Sequence, residues 1–243
     1  PEGKPSAQWN TVSVYEFETY SYAGILETAE ELTAEDIADN LTVPSEIGTD
    51  DNFSLPAVPE GYEISFIGAD YEHILDRDLT VWRPLVDKDI TVNFQVQEAD
   101  NPDSAVDSKE YTITVKGQYT TGDGDNDKPA VIPELAEWKG AQGGEFSVEN
   151  GTRILLHPDV ADELRYMAEE FKADYEDIMG GTIEIVTGTE PQAGDFYFTD
   201  SDGSKGLKEE GYYMVIVDYI TIEAEEEDGA YWSTRTILQI LTQ

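Results

Sequence analysis

The chain has 243 residues, enough for two domains of ordinary size that each bury a hydrophobic core. Its net charge is -39, with acidic residues spread over both halves, so nucleic acid and an anionic membrane surface are unfavourable partners. The absence of cysteine excludes a disulfide framework, thiolate metal sites and cysteine nucleophiles. No apolar run approaches the roughly 18 residues of a membrane span, and we expect a monomer that does not insert into membranes.

Residues 1–119 are predicted to be all-β. Alternating apolar and polar residues, bounded by Gly, Pro, Asp or Asn, predict strands at residues 11–17, 62–66, 90–96 and 111–115. Strands at this spacing are typical of a β-sandwich. Residues 33–38 are the exception, because they begin like a capping box and favour one or two helical turns.

The same half also carries a set of sequence motifs. They are Ile37-Ala38, Leu41-Thr42-Val43-Pro44, Leu55-Pro56, Pro59-Glu60-Gly61-Tyr62-Glu63-Ile64-Ser65-Phe66 and Tyr111-Thr112-Ile113-Thr114-Val115. With them the half resembles the bacterial immunoglobulin-like modules of secreted glycosidases. Phe66 and Gly68-Ala69-Asp70 replace the tryptophan and serine-asparagine features of those modules. The resemblance implies an Ig-like sandwich in a secreted or bacterial cell-surface protein.

Residues 120–128 are small, polar and charged, and they are predicted to form a linker. Asp123, Asp125 and Asp127 have the spacing that opens a calcium loop. Lys128 stands where that loop needs glycine, and the rest of the pattern is missing. The segment is therefore interpreted as a solvated hinge rather than a metal site.

Residues 129–243 are predicted to be an α+β unit. A helix opens at Pro158-Asp159 and ends at Gly180-Gly181, and a second follows Asp228 as its N-cap. Strands are predicted at residues 146–148, 153–156, 183–186, 196–198, 212–217 and 220–224. This order predicts one sheet with both amphipathic helices on the same face. The predicted core is Ile154, Leu156, Leu164, Phe171, Ile183, Ile185, Phe196, Phe198, Met214, Ile216, Ile222, Ile237 and Leu241.

The most informative stretch is residues 210–241. Its marked residues are Gly211-Tyr212-Tyr213, Ile220-Thr221-Ile222, Gly229-Ala230-Tyr231-Trp232, Thr236-Ile237-Leu238-Gln239 and Leu241. They resemble the end of the small α+β domain that precedes the catalytic barrel in family 20 glycoside hydrolases, the β-N-acetylhexosaminidases. Ser233 stands where that family usually has glycine, and Pro133, Trp138 and Gly140 resemble the opening of the same domain.

The chain itself offers few groups for catalysis. Its two histidines, His73 and His157, have no second histidine nearby, so neither a metal site nor a triad is predicted. Carboxylate pairs such as Glu169-Glu170, Glu209-Glu210 and Glu225-Glu226 are expected on solvated surfaces. The resemblance to family 20 enzymes implies a catalytic Asp-Glu pair at the end of a barrel strand. We expect that pair after Gln243. No catalytic, cofactor-binding or metal-binding residue is predicted in this chain.

Aromatic and apolar side chains are the remaining candidates. Trp82 precedes Arg83-Pro84 and is either a sugar-stacking platform or a core residue. Tyr231, Trp232 and Ile240 lie on the last helix, where they are predicted to face a barrel or a sugar.

The sequence supports three hypotheses about function. The first is a non-catalytic N-terminal fragment of a secreted β-N-acetylhexosaminidase, which would meet its glycan substrate through a barrel outside this sequence. The second is a carbohydrate-binding or adhesive surface module without an enzymatic parent. The third is the same region of a family 84 or other glycosidase, because similar domains occur there.

Overall fold

The computed structural model describes residues 32–50, 52–148 and 151–243. The strand predicted at residues 11–17 lies outside the described residues. Ala34–Gln243 form one compact unit, which contains every helix and strand named below.

The first half of this unit contains a five-stranded sheet. β1 pairs with β5 in parallel, whereas β2, β4 and β5 pair with β3 in antiparallel orientation. The elements of this half are α1 (Ala34–Asp39), β1 (Glu46–Ile47), β2 (Tyr62–Ala69), β3 (Lys88–Glu98), β4 (Asn101–Asp107) and β5 (Tyr111–Val115).

One face of this sheet forms the core of the first half. Ile90, Val92, Phe94 and Val96 alternate along β3 and are at most 1% exposed, as the period of a half-buried strand requires. α1 packs on this core through one side. The strands predicted at residues 62–66, 90–96 and 111–115 and the short helix are confirmed. A second sheet that would complete a sandwich is not found among the described residues of this half, so the Ig-like assignment stays a prediction.

The second half contains a five-stranded mixed sheet in the order β7-β6-β8-β10-β9. Its strands are parallel except β9, which pairs with β10 in antiparallel orientation. The elements are β6 (Arg153–Leu156), α2 (Arg165–Met179), β7 (Glu184–Thr187), β8 (Phe196–Asp200), β9 (Tyr212–Ile216), β10 (Ile220–Ala224) and α3 (Glu227–Leu241). The sheet is thus more parallel than the predicted α+β class suggests.

Both long helices contribute to one core. α2 contacts β7, α3 contacts β9 and β10, and the two helices contact each other. Their buried side chains belong to the same cluster as alternate residues of the strands, which places both helices on one face. The predicted core residues found buried are Ile154, Leu156, Leu164, Phe171, Ile183, Phe196, Phe198, Ile222 and Ile237. Ile185, Met214 and Leu241 are partly buried against them.

Several local predictions are wrong. Ile216 is 36% exposed because it ends the edge strand β9. Residues 146–148 form no strand, although the Phe146 ring packs 5.3 Å from that of Phe196. α2 begins at Arg165 after a series of turns, and the N-cap of α3 is Glu226 instead of Asp228.

The predicted linker lies without helix or strand, but it is not free of contacts. We call residues 120–142 the strap. Its two ends meet where the Asn126 carbonyl accepts a hydrogen bond from Trp138 Nε1 at 3.0 Å and where Lys139 pairs with Asp125 at 2.5 Å. A Cβ on Gly140 would lie 2.1 Å from the Asn126 oxygen, so glycine allows this close approach. Because Asp125 is occupied by Lys139 and the Gly122 N–H, it is not arranged as a calcium ligand.

A buried ion pair fixes the loop before β8. The Asp195 side chain is 1% exposed, and it accepts hydrogen bonds from the Arg153 and Gln192 N–H groups at 3.2 and 2.8 Å. The Arg153 guanidinium also binds both of its oxygens. This contact raises the pKa of Arg153. Removing one partner of such a pair leaves an uncompensated buried charge.

We therefore expect Asp195→Ala to lower the free energy of unfolding by about 3–5 kcal/mol. Urea denaturation measures this, with Asp177→Ala on the exposed side of α2 as the matched control, expected to change stability by less than about 0.5 kcal/mol. Equal effects of the two substitutions would show that the pair does not stabilise the fold.

Candidate functional site

The outer surface of α3 carries an exposed aromatic and cationic cluster. Trp232 is 40% exposed, and its ring lies 5.4 Å from the half-buried ring of Tyr231 at an angle of 71°. The Arg235 guanidinium lies 4.9 Å from the Tyr231 ring and donates a hydrogen bond of 2.5 Å to Asp174 on α2. The cluster therefore spans both helices.

The sequence of α3 explains why Trp232 points outward. Small and apolar residues occupy the face against the sheet, and these are Gly229, Ala230, Ser233, Thr234, Thr236, Ile237 and Leu238. A Cβ on Gly229 would lie 2.2 Å from the Gly211 carbonyl oxygen, so the first turn approaches the sheet very closely. Ser233, at the position of the family glycine, is fully buried and donates to the Ala230 carbonyl at 2.6 Å. Trp232, Arg235 and Gln239 share the remaining stripe.

The strap adds an apolar side chain at the end of α3. The Gln239 amide accepts from the Ile132 N–H and donates to the Ile132 carbonyl, both at 2.9 Å. Gln243 donates to the Ala130 carbonyl at 2.7 Å. Ile132 itself is 84% exposed, whereas the predicted site residue Ile240 is half-buried.

Trp82 lies far from α3 in the sequence and in a different environment. Its Nε1 donates to Asp76 Oδ2 at 3.2 Å. A Cβ on Gly206 would lie 2.2 Å from Trp82 Cδ2, so the ring packs on the Gly206 backbone. One face of the indole is thus covered by the second half of the unit. The structure does not bring Trp82 together with Tyr231, Trp232 and Ile240 as one described cluster.

A polar cleft lies beside this contact. Its volume is about 300 Å³, and it is lined by Glu72, His73, Asp76, Arg77, Asp78 and Lys208. Partial burial would raise the pKa of Asp76, but hydrogen bonds from Trp82, Thr80 and Asp78 lower it. Asp76 therefore holds its loop as a carboxylate. The cleft can accept a polar molecule, yet its groups mostly pair with each other, as Arg77 does with Glu72 at 3.1 Å.

The histidines occupy structural positions. His157 Nδ1 accepts a hydrogen bond from the Asp159 N–H at 3.3 Å in the turn before α2. His73 Nε2 lies 3.3 Å from Glu137 Oε1 of the strap. The described residues contain no group of three or more His, Asp or Glu side chains placed to hold a metal ion.

The adjacent carboxylate pairs lie at the surface. Glu169 and Glu170 bond to Arg165 and Tyr166 on α2, and Glu209-Glu210 and Glu225-Glu226 are exposed.

None of the described helices combines the length and hydropathy needed to cross a membrane.

Comparison with known families gives one match. The family model described as glycosyl hydrolase family 20, domain 2, matches residues 128–243. Residues 128–243 are thus similar to domain 2 of glycosyl hydrolase family 20. The matched region contains the mixed sheet, α2, α3 and most of the strap. The predicted resemblance of this half to family 20 is thereby confirmed, and the chain contains a fragment of a family 20 glycoside hydrolase. No curated protein matches the chain.

Sequence reasoning missed the residues that join the two halves of the unit. Gly206 and Glu137 carry no local signal, because their roles depend on Trp82 and Leu85 from distant parts of the chain. Arg235 was not selected either, although its i, i+4 spacing from Tyr231 could have indicated a cation–π contact.

Tyr213 on β9 lies at the same junction. Burial raises its pKa to about 12, with further contributions from the neighbouring Tyr119, Glu223 and Glu137. Lys205 lies 5.0 Å from its ring and pairs with Glu223 at 2.6 Å. A phenol with a folded-state pKa above its unfolded value of about 10 stabilises the fold fully below pH 10. That contribution is lost as the pH rises through about 12.

We therefore expect the unfolding free energy to fall between pH 10 and pH 12, with Tyr213 contributing roughly 2 kcal/mol of the loss. Tyr213→Phe should reduce this pH dependence in chemical denaturation at both pH values. Val215→Ala, on the same strand and 39% exposed, removes no titrating group and is the control that should leave the pH dependence unchanged. An identical pH dependence in native and Tyr213→Phe chains would contradict the assignment.

Proposed function

We propose that this chain is the non-catalytic N-terminal region of a β-N-acetylhexosaminidase. The observation that carries the proposal is the family 20 domain 2 that occupies residues 128–243. In such an enzyme a catalytic barrel would remove terminal N-acetylhexosamine from glycans, and this chain would support that barrel. Secretion or display at a bacterial surface belongs to the same proposal, as does a monomeric state.

The surface of α3 supports a mechanical role. An exposed tryptophan next to a second aromatic ring and an arginine is the composition of protein contact surfaces, where aromatic and Arg residues are enriched. Both helices cover the same face of the sheet, so their outer side is free to meet a further domain. We assign this outer side, with Trp232 at its centre, to the contact with the barrel.

The hydrolytic part of the proposal is tested with a nitrophenyl N-acetylglucosaminide. This chain alone is expected to release no nitrophenol, whereas the longer protein that carries a barrel should do so. Turnover by this chain that is lost on substitution of one of its own carboxylates would overturn the proposal. Activity of the longer protein on a different glycoside would keep the family and change the substrate.

The mechanical role predicts an effect of Trp232→Ala that depends on the barrel. In this chain the substitution should hardly change stability, because the side chain is partly exposed. In the barrel-containing protein it should destabilise the domain contact by about 1–3 kcal/mol, with a lower Tm and lower activity. Ile67→Ala on the first sheet is the matched control, since Ile67 is exposed to a similar extent, 37%.

An equal effect of Trp232→Ala in the short chain and the long protein would place Trp232 in the fold of the domain instead. An effect of Ile67→Ala as large as that of Trp232→Ala would show that the loss is not specific to α3.

The alternative of a carbohydrate-binding module without an enzyme depends on an exposed coplanar aromatic pair. Among the described residues, the Tyr231 and Trp232 rings are close to perpendicular, and Trp82 is covered on one face by Gly206. The family 20 match also favours this family over family 84. Glycan binding by this chain without any barrel-containing parent would revive the binding-module hypothesis.

A further inference from the structure

We propose that the strap and the contact of Trp82 with Gly206 lock the two halves of the unit into one rigid body. The half containing the first sheet is then a fixed arm on the family 20 domain, and not a module on a flexible tether. This inference does not depend on the activity of the longer protein. It rests on contacts between residues 71–119, the strap and residues 201–243.

The first contact is the packing of an indole ring on a glycine. Atoms of the Trp82 ring lie 2.2 to 2.7 Å from the position of a Cβ on Gly206, so no side chain fits there. The ring cannot swing aside freely, because Nε1 is bonded to Asp76. Asp76 Oδ1 in turn accepts the N–H groups of Asp78 and Thr80 at 2.9 and 3.0 Å. The position of the ring is therefore fixed by its own loop before it meets the second half.

The second contact is made by one carboxylate of the strap. Glu137 Oε2 accepts the Leu85 N–H, and Glu137 Oε1 lies 3.3 Å from His73 Nε2, which makes no hydrogen bond among the described residues. Both partners belong to the first half. The carboxylate is partly buried, and loss of a charged hydrogen-bond acceptor at a buried N–H costs more than a neutral bond. Glu137 thus ties the strap to the first sheet and its loops.

The third contact ties the same strap to α3. Ile132, five residues before Glu137, has its N–H and its carbonyl bound by Gln239. Because the ends of the strap are closed by Asn126, Trp138 and the Asp125–Lys139 pair, the strap is a compact loop with anchors on both halves. A flexible linker would make neither anchor.

The fourth contact lies on the sheet face away from the helices. Tyr213 alternates with Tyr212 and Met214, which pack in the helix-covered core, so its side chain lies on the opposite face. There it neighbours Tyr119, which follows the first sheet and whose N–H is bonded to the Leu85 carbonyl. The anchors therefore engage both faces of the mixed sheet. A rotation of one half against the other would have to break several of them together.

The absence of cysteine makes a direct test possible. Cysteines placed at Glu63 on β2 and Asp177 on α2, both exposed, can carry spin labels, and pulsed electron resonance measures the distance distribution between them. The full chain is expected to give a single narrow maximum. Gly206→Ala should broaden that maximum, because the added methyl displaces the indole while the strap anchors remain.

Gly203→Ala is the matched control. Gly203 lies in the same loop with φ +74, close to the φ +61 of Gly206, but a Cβ there meets no atom within 4 Å. Both substitutions strain the backbone alike, and only Gly206→Ala disturbs Trp82. Trp82→Ala should broaden the distribution as well, and adding Gly206→Ala to it should broaden it no further.

A broad distribution in the native chain, with intact secondary structure by circular dichroism, would overturn the proposal. So would equal broadening by Gly203→Ala and Gly206→Ala. If Gly206→Ala does not fold, the double variant Trp82→Ala/Gln239→Leu removes two anchors together. A maximum in it as narrow as in the native chain would refute the lock.

Discussion

Both faces of the mixed sheet have to be covered, and this constraint shapes the second half of the molecule. Alternate residues of its strands are buried under α2 and α3 in one core. The other face also carries side chains with limited solvent exposure, such as Leu155, which is 2% exposed, and the half-buried Tyr213. Around Tyr213, Tyr119 next to the strap provides the cover. α2 and α3 cover one face of the sheet and present their outer side to solvent. Residues of the first half cover part of the other face, and this contact helps to join the two halves.

This division explains how the chain relates to glycoside hydrolysis. The family 20 domain puts its two long helices on one side, where Trp232 and the strap residue Ile132 are the exposed apolar groups. Of the contacts that join the halves, that of Tyr213 lies on the opposite face, whereas that of Gln239 with Ile132 lies on α3. The proposed barrel contact would therefore adjoin the strap at the end of α3, whereas the Tyr213 contact uses the other face of the sheet.

The sequence predicts the fold well where the pattern is local. Strands such as β3 and β8 alternate over their whole length, and α2 ends at Gly180 as its glycine pair indicates. The prediction fails at the ends of helices and at the edge strand of the sheet. Ile216 has the composition of a core residue, but its exposure depends on β9 lying at the edge, which only the strand order decides. The start of α2 was also missed, because residues 158–164 keep buried Val160 and Leu164 while forming turns. Of the candidate site, Trp232 was predictable from the helical stripe. Gly206 and Glu137 were not, because no local pattern shows which distant residue they meet.

The pairing of Gln239 with Ile132 has a consequence for variation in this chain. A side-chain amide presents an N–H donor beside a carbonyl acceptor, as the backbone of a neighbouring strand does. A single glutamine therefore makes for one residue of the strap the pair of hydrogen bonds that a strand would make. Glutamate at this position would keep the acceptor and lose the donor, and leucine would lose both. The course of the segment that enters the family 20 domain thus depends on the identity of one residue near the end of its last helix, more than a hundred positions later in the chain.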